Sequence, residues 1–214
     1  MKAEEIHIAS WVVLRNRMAM HDGNIFFEKK DGDELSFVKD LYKELKCDYS
    51  KFYKMDNLCK LAFAATELLL KNHKVQGKPD LTALVFSNAG ASLDTDKTYY
   101  ASVENKSNYF PSPAVFVYTL PNIMMGEICI RQQFQGENAF FITEKFDATL
   151  LADYNANLIR SGKAESVITG WVEINEKGWE AALFLAEPSE KENAGMRFTK
   201  ESLNEIYALK RLMK

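Results

Sequence analysis

The sequence is poor in the residues that interrupt or cross-link a chain. Its 214 residues include 10 Gly, 5 Pro and 3 Cys. So few Gly and Pro leave little room for disordered or low-complexity segments, and we expect one domain, residues 1–214. Cys47, Cys59 and Cys129 are an odd set without CxxC spacing, which excludes a disulfide framework and a zinc knuckle. We expect small buried thiols and neither a metal nor another cofactor.

The chain also lacks an excess of charge and a long apolar run. Its 27 basic and 30 acidic residues give a net charge of -3, which creates no field that would collect nucleic acid or an anionic membrane. Its apolar runs are too short to span a bilayer, and the opening MKAEEIHIASWVVL has no basic leader. We therefore expect a cytoplasmic protein that neither binds nucleic acid nor spans a membrane.

Segments with strand character alternate with segments of helical periodicity. The predicted strands are 6–14, 81–86, 139–142, 167–174 and 181–186. The predicted helices are 33–46, 56–73, 120–133, 147–159 and 198–213, and 16–33 is predicted to be a polar loop. This alternation is typical of an α/β fold with a mostly parallel sheet and one antiparallel pair, formed by the last two strands.

Three blocks of sequence then carry a family resemblance. They are KMDNLCKLAFAATELLL from Lys54, PSPAVFVYTLPNIMMGEICI from Pro111 and LIRSGKAESVITGWVEI from Leu158. In this order they resemble the β-ketoacyl synthase family, and Pro121, Asn122, Gly126 and Glu127 keep the spacing of its Pro-Asn-x-x-x-Gly-Glu helix. The resemblance implies the N-terminal half of a thiolase-like fold, βαβαβ in type, with helices on both faces of the sheet.

The resemblance also locates the family's nucleophilic cysteine, which lies on an elbow between a Gly loop and the Leu-x-Arg-Ser-Gly helix end. Counting without gaps from Gly136 to Arg160 places Lys145 at that position, within the degenerate elbow Thr143, Glu144, Lys145, Phe146 and Asp147. An amine cannot form the acyl thioester. A helix N-terminus favours a thiolate and disfavours an ammonium by a few tenths to about 1 kcal/mol. We expect the amine of Lys145 to reach solvent, Glu144, Asp147 or a partner.

The catalytic histidines of the family are missing as well. They come from a C-terminal half that this chain, about half the usual size, does not contain. His7, His21 and His73 fall in no matching motif. The resemblance therefore implies that the chain alone is not a condensing enzyme.

A ketosynthase homologue without a nucleophile resembles a chain-length factor, which pairs with an active ketosynthase and helps to shape its acyl tunnel. The second block is similar to the small ketosynthase-like subunits of aryl polyene or flexirubin-type pathways. The implied partner is a full-length ketosynthase, or a second copy in a homodimer, and an acyl carrier protein is engaged indirectly. The strand before the elbow is expected to pair across the dimer axis, which makes interface candidates of Ala139, Phe140, Phe141 and Ile142. Candidates for the acyl tunnel or partner surface, with core packing as the alternative, are Met124, Met125 and Phe134.

Two other functions stay open. In the first, Lys145 is the nucleophile or base of a different enzyme, which requires a closed apolar pocket that desolvates the amine. The adjacent Glu144 and Asp147 argue against this, because they would hold the lysine charged. In the second, the chain is a standalone module that binds an acyl chain or a carrier protein without assisting condensation.

Overall fold

The computed structural model describes residues 5–189 and 195–209. Its seven strands are β1 (Glu5–Arg15), β2 (Met18–His21), β3 (Asn24–Glu28), β4 (Thr82–Asn88), β5 (Asn138–Ile142), β6 (Ser166–Asn175) and β7 (Gly178–Ser189). The α-helices in these residues are α1 (Glu34–Glu44), α2 (Asn57–Leu69), α3 (Leu93–Ala101), α4 (Pro113–Phe116), α5 (Ile123–Gln132), α6 (Ala148–Arg160) and α7 (Lys200–Ala208).

The strands form one mixed sheet in the order β3-β2-β1-β7-β6-β4-β5. The prediction of an α/β fold with a mixed sheet is confirmed. Among the described strands, five run in the same direction and β4 pairs in parallel with both β5 and β6. Four of the six pairings are nevertheless antiparallel, because β2 and β7 run the other way. Antiparallel pairing is therefore more extensive than the single pair that the sequence predicts.

Helices cover both faces of the sheet and create two cores. On one face α2 packs against β1, β6 and β7, and α1 and α5 pack against α2. The small side chains of Ala62 and Ala65 on α2 are fully buried, which lets this helix approach the sheet closely. On the other face α6 packs against β6 and β7, and α7 packs against α6. Every residue of β4 is buried, as expected for a strand that is covered on both sides.

The helix starts predicted at residues 33, 56 and 147 agree with the structure because each of these residues has a side chain that caps the first turn. Asp33, Asp56 and Asp147 each accept a hydrogen bond from a backbone N–H group of the helix that follows. The helix predicted at 120–133 is α5, and Gly126 does not interrupt it. The last helix ends at Ala208 in the described chain, and the rest of its predicted range, 210–213, lies outside the described residues.

The polar loop predicted at 16–33 was wrong, because the chain there forms the β2–β3 hairpin. Two-residue turns join β1 to β2 and β2 to β3. Their central residues, Asn16 with Arg17 and Asp22 with Gly23, all have positive φ angles between 47° and 84°. Such turns match the twist of paired strands. Helices α3 and α4 were also missed; α3 has no apolar stripe, and Thr95 is its one buried residue.

No single described helix has both the length and the apolarity needed to cross a membrane. The pair Pro113–Thr119 and Ile123–Gln132 meets the criteria of length and composition only when taken together, and it is bent by 97°.

Gly170 in β6 is expected to be irreplaceable, because a Cβ atom added there would lie 2.0 Å from the carbonyl oxygen of Ala182 and φ is +153°. We predict that Gly170→Ala lowers the free energy of unfolding by about 2–4 kcal/mol through overpacking and strain. Gly126→Ala is the matched control, since an added Cβ meets nothing within 4 Å there. Alanine in that helix should raise stability by about 0.5–1 kcal/mol. Urea unfolding measures both, and equal effects would contradict the packing of β6 against β7.

Candidate functional site

The candidate site is the corner between β5 and α6. Because β4, β5 and β6 are parallel, their carboxyl ends meet at one edge of the sheet, where ligands bind in many open α/β sheets. The five residues 143–147 lie between the end of β5 and the start of α6. The structure thus places Lys145 in a strand-to-helix corner.

Three interactions fix the shape of this corner. The Thr143 N–H donates to the carbonyl oxygen of Asn88 at 2.9 Å, and the Thr143 hydroxyl donates to the carbonyl oxygen of Lys145 at 2.9 Å. The ring of Phe146 is buried and stacks on the ring of Tyr207, with 4.1 Å between ring centroids. The Asp147 carboxylate accepts the Leu150 N–H at 3.0 Å and caps α6. With Phe146 turned inward, the two preceding side chains are left outside.

Lys145 and Glu144 are exposed. No described acidic residue forms an ion pair with Lys145. We expected its amine to reach solvent, Glu144, Asp147 or a partner, and in this chain it reaches solvent. A nucleophilic lysine needs a desolvated amine, and an exposed side chain does not provide one. The corner as folded in this chain therefore gives no support to an enzyme that uses Lys145 as nucleophile or base.

The strand before the corner has an open edge. β5 is the last strand of the sheet and pairs only with β4 among the described strands. The Glu137 carbonyl and the Thr143 N–H both bond to β4, so by the alternation of a parallel ladder the N–H groups of Phe140 and Ile142 point away from the sheet. Ile142 is 63% exposed, whereas Ala139, Phe140 and Phe141 are half-buried. Phe140 packs on the α2–α5 core and Phe141 on Tyr154 of α6.

The candidate tunnel residues are placed differently from one another. Met124 is 0% and Met125 is 2% exposed, and both belong to the core between α2 and α5. Their side chains do not line a surface of this chain, which agrees with the alternative of core packing. Phe134 is half-buried at the edge of the same core. The exposed face of α5 carries Gly126 and Ile130 instead.

Sequence reasoning missed a group of exposed apolar side chains in the segments that precede the corner. Among the described residues, most exposed large apolar side chains lie between β4 and the end of β5. They are Leu93, Tyr100, Tyr109, Phe110, Phe116, Val117, Leu120, Ile130 and Ile142. The aromatic ring of Tyr99 packs against that of Phe116, which joins α3 to α4, and Phe110 is 79% exposed. We call these nine side chains the apolar surface. The available signal was the pairing of Tyr109 and Phe110 with the adjacent prolines 111 and 113.

The three histidines lie far from the corner. His7 is on β1 and His21 on β2, whereas His73 pairs with Glu187 of β7 at 3.1 Å. At about 4.8 Å between neighbouring strands, β1 is some 19 Å from β5. Burial lowers the pKa of His21, which hydrogen-bonds Ser10 at 3.0 Å. The described residues contain no group of three or more His, Cys, Asp and Glu side chains that could hold a metal ion.

All three cysteines have pKa values that oppose thiolate formation. Burial, helped by the neighbouring Glu67 carboxylate, raises the pKa of Cys47 to about 12. Burial also raises the pKa of Cys59 and that of Cys129 above the usual value. A raised pKa disfavours the nucleophilic thiolate. Cys59 is buried as predicted, whereas Cys47 and Cys129 are only half-buried.

Comparison with solved structures identifies the fold. Over 88% of the chain it is similar to the ishigamide ketosynthase/chain length factor, with a TM-score of 0.63 and 16% identity. It is also similar to a structure of the ketosynthase ApeO in complex with its chain length factor ApeC from Xenorhabdus doucetiae, with a TM-score of 0.58, 12% identity and 95% of this chain covered. A third is AntDE:AntF, an acyl-carrier protein in complex with its ketosynthase, with a TM-score of 0.60, 13% identity and 87% covered.

The lengths of the matched chains differ. This chain spans 63% of the matched chain in the first and third structures but 90% of that in the second. No family model and no curated protein matched the sequence.

Substitutions in the corner should separate its structural residues from Lys145. We predict that Asp147→Ala lowers the free energy of unfolding by about 1 kcal/mol, because α6 loses its cap. Lys145→Ala should change it by less than about 0.5 kcal/mol, because the side chain is exposed and its charge is disfavoured at a helix N-terminus. Urea unfolding tests both, and a loss above about 1 kcal/mol for Lys145→Ala would mean that the lysine supports the fold.

These observations agree at the level of the fold: the mixed sheet with helices on both faces is similar to the fold of ketosynthases and chain length factors, as the sequence blocks predict.

Proposed function

We propose that this chain is a catalytically inactive, chain-length-factor-like subunit that pairs through β5 with an active β-ketoacyl-ACP synthase. The pathway is of the polyketide or fatty-acid type that makes aryl polyenes. The observation that carries the proposal is the exposed Lys145 at the corner directly after a strand with an open edge.

Inactivity follows from the chemistry of the corner. Condensation needs an acyl thioester, and the amine of Lys145 cannot form one. A stable amide would end the cycle instead of transferring the acyl group onward. The imidazoles of His7 and His21 are on strands separated from β5 by at least three others, so they cannot act at the corner.

Pairing follows from the edge and the apolar surface. An edge strand presents unpaired N–H and C=O groups that a second chain can extend as a sheet. The apolar surface lies on the segments that lead into this strand, and large apolar side chains exposed to water favour a partner that covers them. On α5, Gly126 and Ile130 are one turn apart and exposed, which gives a flat contact face that a partner helix can approach. A ketosynthase of the same architecture offers the matching strand for a shared, continuous sheet.

Comparison adds support from outside the chain. The structure from Xenorhabdus doucetiae is a ketosynthase in complex with its chain length factor, and the chain matched there is almost wholly covered. The AntDE:AntF structure includes an acyl-carrier protein bound to its ketosynthase. By analogy, we propose that the carrier protein binds the active partner. This chain then helps to form the wall of the acyl tunnel and performs no chemical step.

Ile142→Pro tests the pairing surface. Proline removes the N–H that faces the open edge, while the side chain lost is exposed and the bonds to β4 stay in place. We predict that it abolishes co-purification with a full-length ketosynthase. Ile142→Thr keeps both the N–H and the β-branched shape, so it should retain the complex. Size-exclusion chromatography with light scattering gives the stoichiometry.

The outcomes distinguish the partners. A one-to-one complex with the ketosynthase supports the proposal. A homodimer of this chain that does not bind the ketosynthase supports self-association instead. A complex that survives Ile142→Pro, with the variant's circular dichroism unchanged, contradicts pairing through β5. Binding of a carrier protein alone supports the standalone module.

Lys145→Cys tests inactivity. The variant restores sulfur but no imidazole, so we predict that the chain alone still forms no condensation product from acyl and malonyl carrier proteins. Lys145→Ala should leave condensation by the mixed complex within about twofold, since the amine performs no chemical step. Mass spectrometry of the carrier-bound products measures both. Condensation by the lone cysteine variant would overturn the assignment of inactivity, and turnover without a ketosynthase that Lys145→Ala abolishes would favour a lysine enzyme.

A further inference from the structure

A cleft of about 590 Å³ opens between α3 and the β6–β7 hairpin. This volume lies in the range of small-molecule sites. Its floor is the loop after β4, with Ala89 and Gly90, and its apolar walls are Leu93, Ile174 and Trp179. The cleft also contains a carboxylate that the proposed function does not use.

That carboxylate belongs to Glu173, which is 2% exposed. Its Oε2 atom accepts the Ala89 N–H at 2.6 Å and the Gly90 N–H at 3.1 Å. No described residue donates a hydrogen bond to its Oε1 atom. Because Glu173 lines the cleft, Oε1 is an acceptor without a donor from this chain at the bottom of a ligand-sized space.

Gly90 keeps the approach to this oxygen open. A Cβ atom added at residue 90 would lie 2.9 Å from Glu173 Oε1, closer than such contacts normally come. Its backbone has no positive φ, so the conformation itself does not demand glycine. The space in front of Oε1 is what the missing side chain leaves.

Charge and shape together select the ligand. The lining side chains include three carboxylates, Asp94, Glu173 and Glu176, against two ammonium groups, Lys97 and Lys177. The backbone N–H groups at the floor already bond to Glu173, so they do not attract an anion. An indole face and two aliphatic walls suit an apolar stem, and indole also attracts cations.

We propose that this cleft binds an organic cation, a guanidinium or primary ammonium group on a short apolar stem. The charged head donates to Glu173 Oε1, and the stem packs between Leu93 and Trp179. The site does not rest on the proposed function, although Leu93 also belongs to the apolar surface, and its test uses the chain without a ketosynthase.

The test is an NMR titration that follows the indole N–H of Trp179, assigned with Trp179→Phe. The probes are n-butylguanidinium, its neutral isostere n-butylurea, and butyrate. We expect n-butylguanidinium to bind at least about tenfold more tightly than n-butylurea, because its hydrogen bond is charge-assisted, and butyrate to cause no shift. Failure of n-butylguanidinium to shift the signal at about 50 mM, or equal binding of butyrate, would overturn the proposal.

Two variants locate the cation. Glu173→Gln presents an amide donor to the cleft in place of Oε1 and should weaken binding of n-butylguanidinium about tenfold or more. Gly90→Ala fills the space before Oε1 and should weaken it similarly, so it decides the matter if the glutamine variant does not fold. Glu176→Gln changes an exposed rim charge and should have an effect below about twofold. Unchanged affinity in a folded Glu173→Gln or Gly90→Ala variant would contradict the site.

Discussion

Among the described strands, β5 has a hydrogen-bonding neighbour on one side only, and the arrangement around the corner depends on this. Its backbone pairs with β4 through alternate residues, which leaves the N–H groups of Phe140 and Ile142 facing outward. Such an edge invites a second strand unless it is blocked by charge, proline or a bulge. None of these devices occurs in Asn138–Ile142, where the sequence NAFFI is apolar after its first residue. An edge of this composition is favourable when a partner covers it.

The corner lies directly after β5, so its position follows from that of the edge strand. Since Lys145 follows β5 by three residues, any chain that pairs with β5 arrives next to it. The corner is also rigid, because Phe146 is stacked on Tyr207 and Asp147 caps α6. A thiolate here would be stabilised by the helix terminus, whereas an ammonium is not. Under the proposed function, the corner keeps the shape of a nucleophile site without its chemistry, as expected of a subunit that supplies surface to an active partner.

The elements that could be predicted are those whose sequence signal lies within the element itself or next to it. The continuous apolar run at 81–86 predicts the buried β4, and Asp33, Asp56 and Asp147 predict helix starts because their carboxylates satisfy free N–H groups. The corner after β5 was found because motifs on both sides of it fix the register. The β2–β3 hairpin was missed although its turn, Asp22 with Gly23, is a typical hairpin signal. Its strands have only four and five residues, which is too short for a clear alternating pattern.

Features that depend on contacts distant in sequence were not predictable. Met124 and Met125 are core because α5 packs on α2, more than fifty residues earlier in the chain. The same applies to Glu173, whose carboxylate bonds to a loop 83 or 84 residues away. The apolar surface was overlooked because exposed aromatics in a loop have the same sequence signal as buried ones.

Hydrogen exchange at β5 tests the central claim most directly. The amides of Phe140 and Ile142 face solvent in this chain and should exchange rapidly, whereas those that bond to β4 are protected. On addition of a full-length ketosynthase, the account predicts slow exchange at Phe140 and Ile142, because each gains a bond to the partner's strand. Rapid exchange at both positions in a complex that has demonstrably formed would contradict pairing through this edge.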